Sequence, residues 1–98
     1  MAWKHTKAFI INTDWTYSDM PSPEKEGGKF SLKQLQKAVG GYIEVVPEHP
    51  ESELPDGWLA LANEEGLLRD LKFNERASFA LKQELVGPIL IMRKDQWD

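Results

Sequence analysis

A chain of 98 residues, 41% apolar and holding four Trp and four Phe, is the size of one domain with a modest core. It contains no cysteine, which excludes a disulfide framework, a thiolate zinc site and a cysteine nucleophile. The net charge of -4 gathers in the middle: residues 44–70 set Arg69 against eight acids, whereas residues 1–43 carry +2 and residues 71–98 carry +1. That distribution argues against a nucleic-acid binder, which needs a basic patch.

Lys7 to Thr13 reads as a first strand around the apolar run Ala8-Phe9-Ile10-Ile11. Residues 14–29, with Pro21, Pro23, Gly27 and Gly28, form a long irregular segment, unusual in a compact domain. Trp15 and Tyr17 are its only large anchors, and it reads either as an ordered excursion or as a mobile flap.

Residues 30–46 carry the densest local code. Ser31 is a favoured N-cap, Gln34 completes an S-x-x-Q capping box, and Phe30 and Leu35 have the spacing of a hydrophobic staple. Leu32, Leu35 and Val39 fall along one helical face. Gly40 suits the left-handed position that ends a helix, and Tyr42 to Val46 then reads as a strand.

Residues 47–57 hold three prolines and four acids and form an acidic, proline-rich loop. Trp58 to Ala62 reads as a strand, and Asn63-Glu64-Glu65-Gly66 as a type I turn. Leu67 to Phe73 alternates well enough to serve as a return strand, with Arg69 out of place on its apolar face. Asn74 caps a second helix whose stripe is Ala77, Ala80, Leu81 and Leu85, and Gly87-Pro88 stops it. Ile89 to Met92 is a continuous apolar strand. The expected class is therefore α+β: a small mixed or antiparallel sheet with two packed helices in the order β-α-β-β-β-α-β, the helices sharing one face.

Little in this pattern carries chemistry. His5 and His49 lack a second histidine at helical spacing, so neither signals a metal site. Glu44, Glu48, Glu51, Glu53 and Asp56 lack the spacing of a calcium loop and read as a solvated acidic stretch. Gly27-Gly28-Lys29 lacks the rest of a phosphate loop, since Phe30 follows the lysine. The serines have no nucleophile-elbow context. No enzyme, cofactor or metal is expected. Trp58 suits the core or a strand edge as an anchor; Trp3, Trp15 and Trp97 lie outside the expected elements and either close the ends of a small core or face a partner.

The motifs Leu35-Gln36-Lys37-Ala38-Val39-Gly40-Gly41-Tyr42-Ile43-Glu44, Asn63-Glu64-Glu65-Gly66, Asn74-Glu75-Arg76-Ala77-Ser78 and Val86-Gly87-Pro88-Ile89-Leu90 follow one another in order. In these the chain resembles a family of small phage and mobile-element proteins classed as a domain of unknown function. The likeness spans roughly residues 31–92 and leaves out the segment 14–29 and the tail after 93. It implies a protein of a bacterial host cytoplasm and brings no catalytic residues. The expectation is a non-enzymatic binding protein that inhibits or modulates a host protein, for example one of a defence system. The alternative is a binder that sequesters a small anionic nucleotide signal. Candidate binding residues are Trp15 and Tyr17, from the long segment, and Glu64, Glu65 and Arg76, which the fold explains least. No apolar run approaches the roughly 18 residues of a membrane span, and no secretory leader is expected. The oligomeric state is left open by the sequence.

Overall fold

A computed structural model describes residues 7–97; Trp3 and His5 lie outside the described residues. Five strands form one antiparallel sheet: β1 (Phe9–Ile11), β2 (Tyr17–Asp19), β3 (Ile43–Val45), β4 (Trp58–Asn63) and β5 (Ile89–Arg93). Their order across the sheet is β2-β1-β5-β4-β3. The helices are α1 (Leu32–Val39) and α2 (Glu75–Leu81). The class is thus α+β, with a wholly antiparallel sheet.

The helices lie on opposite faces, not on one as the sequence suggested. Side chains alternate along a strand, so each central strand serves both faces. Ile89 and Ile91 of β5 join Ala60 and Ala62 of β4 against Ala77, Ala80 and Leu81 of α2. Leu90 and Met92 join Leu59 and Leu61 against Leu35 and Val39 of α1. Two central strands that are apolar on both faces need cover on both, which one layer of helices cannot supply.

α1 follows its local code. Ser31 Oγ accepts from the Gln34 N–H and the Gln34 side chain returns to the Ser31 N–H, so the capping box closes. Phe30 and Leu35 meet in the same buried cluster. Gly40 adopts φ 80° and its N–H reaches the Gln36 carbonyl; a side chain there would be strained.

Two other expectations change. Residues 67–73 form turns rather than a return strand. The Asn63 side chain accepts from the Glu65 N–H, the Gly66 N–H returns to the Asn63 carbonyl, and the Leu71 N–H returns to that of Gly66. These bonds wind the chain up before it can extend, and Asp70 completes the turn at φ 54°. Leu67 and Leu68 are consecutive, so they select no strand phase, and both are exposed. The remaining strand is β2, inside the segment 14–29. The second helix also ends early, at Lys82 with φ 59°, and not at Gly87. Ser78 Oγ accepts from the Leu85 N–H at 2.8 Å, and the Asn74 N–H donates to the Leu85 carbonyl. These bonds fold residues 83–86 back along α2 and still leave Leu85 in the core.

Within the segment 14–29, β2 is held by its pairing with β1 and the stretch after it by Gln34. The Gln34 amide donates to the Ser22 carbonyl (2.8 Å) and accepts from the Glu24 N–H (3.0 Å). The acidic loop 47–57 is likewise pinned beside α2: the Glu53 N–H donates to the Ala80 carbonyl and the Gln83 amide to that of Pro47.

Candidate binding surface

The sheet register sorts the chain into two ends. Ile11 pairs with Tyr17 and with Ile89, Leu61 with Leu90, and Ile43 with Asn63. One end of the sheet therefore gathers the β1–β2 hairpin, the turns after β4, the N-terminus of α2 and the entry to β3. Nine large apolar side chains are exposed among the described residues. Six of them, Trp15, Tyr17, Tyr42, Leu67, Leu68 and Phe73, belong to this end.

The hairpin is built by its own polar side chains. The Asn12 N–H donates to the Thr16 carbonyl, and the Asn12 amide donates to the hydroxyls of Thr16 and Ser18. Asp14 accepts from the Thr16 hydroxyl and from its N–H. The Thr16 hydroxyl, then its N–H, hold the Asp14 carboxyl below the ordinary aspartate range, and Lys72 attracts it more weakly. At the tip Trp15 takes φ 71° with its side chain 54% exposed. A bulky residue in the left-handed region is strained, of order 1 kcal/mol or more, and no core packing is gained in return.

Tyr17 differs from Trp15. Its ring stands edge-on to Phe9, centroids 5.6 Å apart, and its hydroxyl accepts from Arg76 Nε at 3.1 Å. Arg76, in the first turn of α2, is only 5% exposed. Asn74 fixes that turn. Its Oδ1 accepts from the Ala77 N–H, and its amide donates to the carbonyls of Ile11 and Gly87, both at 2.9 Å. One buried side chain thus ties α2 to β1 and to the turn before β5.

Of the candidate residues, Tyr17 and Arg76 touch each other, and Trp15 lies two residues before Tyr17 at the exposed hairpin tip. Glu64 and Glu65 share this end but sit beyond β4, three strand spacings or roughly 14 Å from Tyr17. Glu64 is exposed, and Glu65 pairs with Arg69 at 3.7 Å. The notion of Arg76 as an open anion hook meets the difficulty that its Nε is committed to Tyr17. Glu44 lies exposed on β3, and among the described residues no three His, Asp or Glu side chains converge as metal ligands. Sequence reasoning missed Tyr42, Leu67, Leu68 and Phe73. The adjacent pair Leu67-Leu68 after a strong turn was the available signal, because a half-buried strand would hide only one of them.

The family model described as Domain of unknown function (DUF3846) matches residues 9–98. The chain belongs to that family. The match takes in the segment 14–29 and the tail, so the family extends beyond the 31–92 likeness and includes the hairpin that carries Trp15. No curated protein and no solved structure matches the chain. No helix among the described residues is long and apolar enough to cross a membrane.

Proposed function

We propose that this DUF3846 chain is a non-enzymatic binding protein that grips a protein partner through the apolar end of its sheet. The observation that carries the reading is the gathering of six exposed large apolar side chains at one end, with Trp15 held in a strained conformation at its tip. Exposed apolar surface concentrated in one place marks interaction sites more often than surface scattered singly. Trp and Arg are the residue types that dominate interface energetics. Around the apolar residues lie Asp14, Glu64, Glu65 and Asp70 against Arg69 and Lys72. A partner with an apolar pocket and a mildly basic rim fits them.

The finer reading is a phage or mobile-element protein that modulates a host protein, for instance one of a defence system, in the bacterial cytoplasm. It rests on the family resemblance and on the acidic balance of the chain. The alternative, sequestration of an anionic nucleotide through Arg76, has less support because that side chain is buried against Tyr17.

The test is capture from a bacterial host lysate by the wild-type chain and by Trp15→Ala/Leu67→Ser/Leu68→Ser. The variant should melt within a degree or two of wild type, since all three side chains are exposed. Its affinity for the captured protein should fall at least tenfold, about 1.4 kcal/mol. Equal capture by both chains would refute this surface as the interface.

A further inference from the structure

We infer that the outer edge of β3 is a second docking site. It takes an extended segment of a partner protein as an added antiparallel strand, with apolar side chains on one face and Lys or Arg on the other. β3 ends the sheet and pairs on one side only, with β4. The Val46 N–H donates to the Ala60 carbonyl, and the Tyr42 carbonyl accepts from the Glu64 N–H. Alternate residues of an antiparallel pair exchange bonds, so Tyr42, Glu44 and Val46 direct their main chain to β4 while Ile43 and Val45 turn theirs outward. No described residue bonds to those outward N–H and C=O groups. An edge of this kind is a template for another strand. β3 holds no proline or lysine to close it, and its one charge is Glu44.

The two faces of that edge select different side chains. Ile43 packs on the α1 cluster; Val45, two residues on, shares its face and is 50% exposed. Ile43 is also one wall of a hollow of about 280 Å³, whose other walls are Leu32, Leu35, Phe30, Trp97 and Lys25. An added strand lies about 4.8 Å from β3, so its apolar side chains on this face would cover Val45 and lean over Ile43 toward the hollow. Lys25 disfavours a basic side chain there. The other face carries Glu44, exposed, and the equally exposed Glu64 stands across the ladder from Tyr42. Neither acid makes an ion pair among the described residues. A Lys or Arg between two apolar residues of the partner therefore meets an unmatched negative charge. A second copy of this chain fits worse. The self-pairing that uses every outward group is centred on Glu44 and sets it opposite its own copy, where like charges repel. The edge does not rest on the hairpin tip, and either surface can fail alone.

The test is an NMR titration of the whole chain with the peptide acetyl-Thr-Leu-Lys-Val-Lys-Leu-Thr-amide. It should bind with Kd below about 1 mM. The amides of Ile43 and Val45 should shift and exchange more slowly, while those of Tyr17 and Asp19, on the other edge of the sheet, stay unmoved. N-methylation of the peptide's Leu and Val residues removes the N–H groups that face Ile43 and Val45 and should abolish binding. Val45→Pro should weaken the peptide at least tenfold. The N–H it removes is an outward one, so the pairing with β4 and the native amide spectrum should survive; if that variant unfolds, the N-methylated peptide still decides. Glu44→Lys should weaken the peptide at least about threefold, the scale of an exposed ion pair, and tighten a version with Glu in place of Lys. No binding of the lysine peptide, full binding by Val45→Pro or of the N-methylated peptide, or shifts at β2 in place of β3 would overturn the site. Dimerisation of the chain alone, with Ile43 and Val45 already protected, would overturn it in favour of a second copy.

Discussion

The two ends of the sheet solve the same problem in opposite ways. At the end away from the hairpin the chain folds back over the core. Phe30 is buried, Trp58 and Trp97 are partly buried against the two clusters, and the tail is tied down by Lys29 Nζ on the carbonyls of Asp95 and Trp97. At the hairpin end Trp15, Leu67 and Leu68 stay in water, the two leucines 84% and 86% exposed. A small chain has little surplus stability, yet this one buries Phe30 and partly buries Trp58 and Trp97 at one end. The bare end is therefore not a failure of packing. In the proposed reading it is the face kept available, while at the other end a groove of about 700 Å³ opens between the acidic loop and Lys94.

The largest expected effect breaks the bare end from beneath. Asn74→Ala removes a helix cap and strands two buried carbonyls, Ile11 and Gly87. Loss of the cap costs about 1 kcal/mol and each orphaned acceptor a further 1–3, so about 4 kcal/mol should vanish from a urea melt. A loss under about 1 kcal/mol would mean that the hairpin end is not held from below.

The opposite end breaks at Gln34. Gln34→Ala opens the capping box and frees Ser22 and Glu24 together. The cost should be about 2 kcal/mol, and amide exchange should quicken at Glu24 while the hairpin stays protected. Exchange that quickens equally at both ends would show that the two are not separately anchored.

These two residues also mark how far the sequence could be read. Ser31, Gln34, Phe30 and Gly40 act within a few residues of one another, so the spacing alone foretold α1 and its end. Asn74 was legible as a cap, but its bonds to Ile11 and Gly87 join segments 63 and 13 residues away. No local pattern records such a bond. The alternation at 67–73 misled because both phases contained leucine and the Asn63-Gly66 turn outweighed it. The shared-face expectation failed on the meaning of Ile89 to Met92: a run that is apolar on both sides requires two covers, and only the three-dimensional order puts β5 at the centre. Trp15 and Tyr17 were found by their lack of a core role. That holds for Trp15 and fails for Tyr17, which Phe9 and Arg76 hold.

The next contrast concerns surface alone. Leu67→Ser with Leu68→Ser should change stability by less than about 0.5 kcal/mol, as for ordinary surface positions, whereas Leu59→Ser with Leu61→Ser, on the buried α1 face of β4, should unfold the chain. A large loss from the exposed pair would turn the bare end into part of the core and remove the reason to read it as an interface.

The smallest effect tests whether the hairpin tip presents Trp15 by itself. The Asp14 carboxyl is exposed, and its pKa is lowered first by the hydrogen bond from the Thr16 hydroxyl and then by that from the Thr16 N–H. A carboxyl with a lower pKa in the folded chain adds stability above its unfolded pKa, and that stability is lost as pH falls through the folded value. Carboxylate titration followed by NMR should place Asp14 below an unstructured aspartate. Thr16→Val removes the hydroxyl, the larger cause, and should bring Asp14 most of the way back; Lys72→Ala should move it less. Added salt should mimic the lysine change and not the threonine change, because screening weakens charge pairs across solvent far more than a hydrogen bond in contact. If Lys72→Ala proved the larger, the tip would be held by α2's leading loop rather than by its own threonine, and Trp15 would move with that loop instead of standing on a self-supporting hairpin.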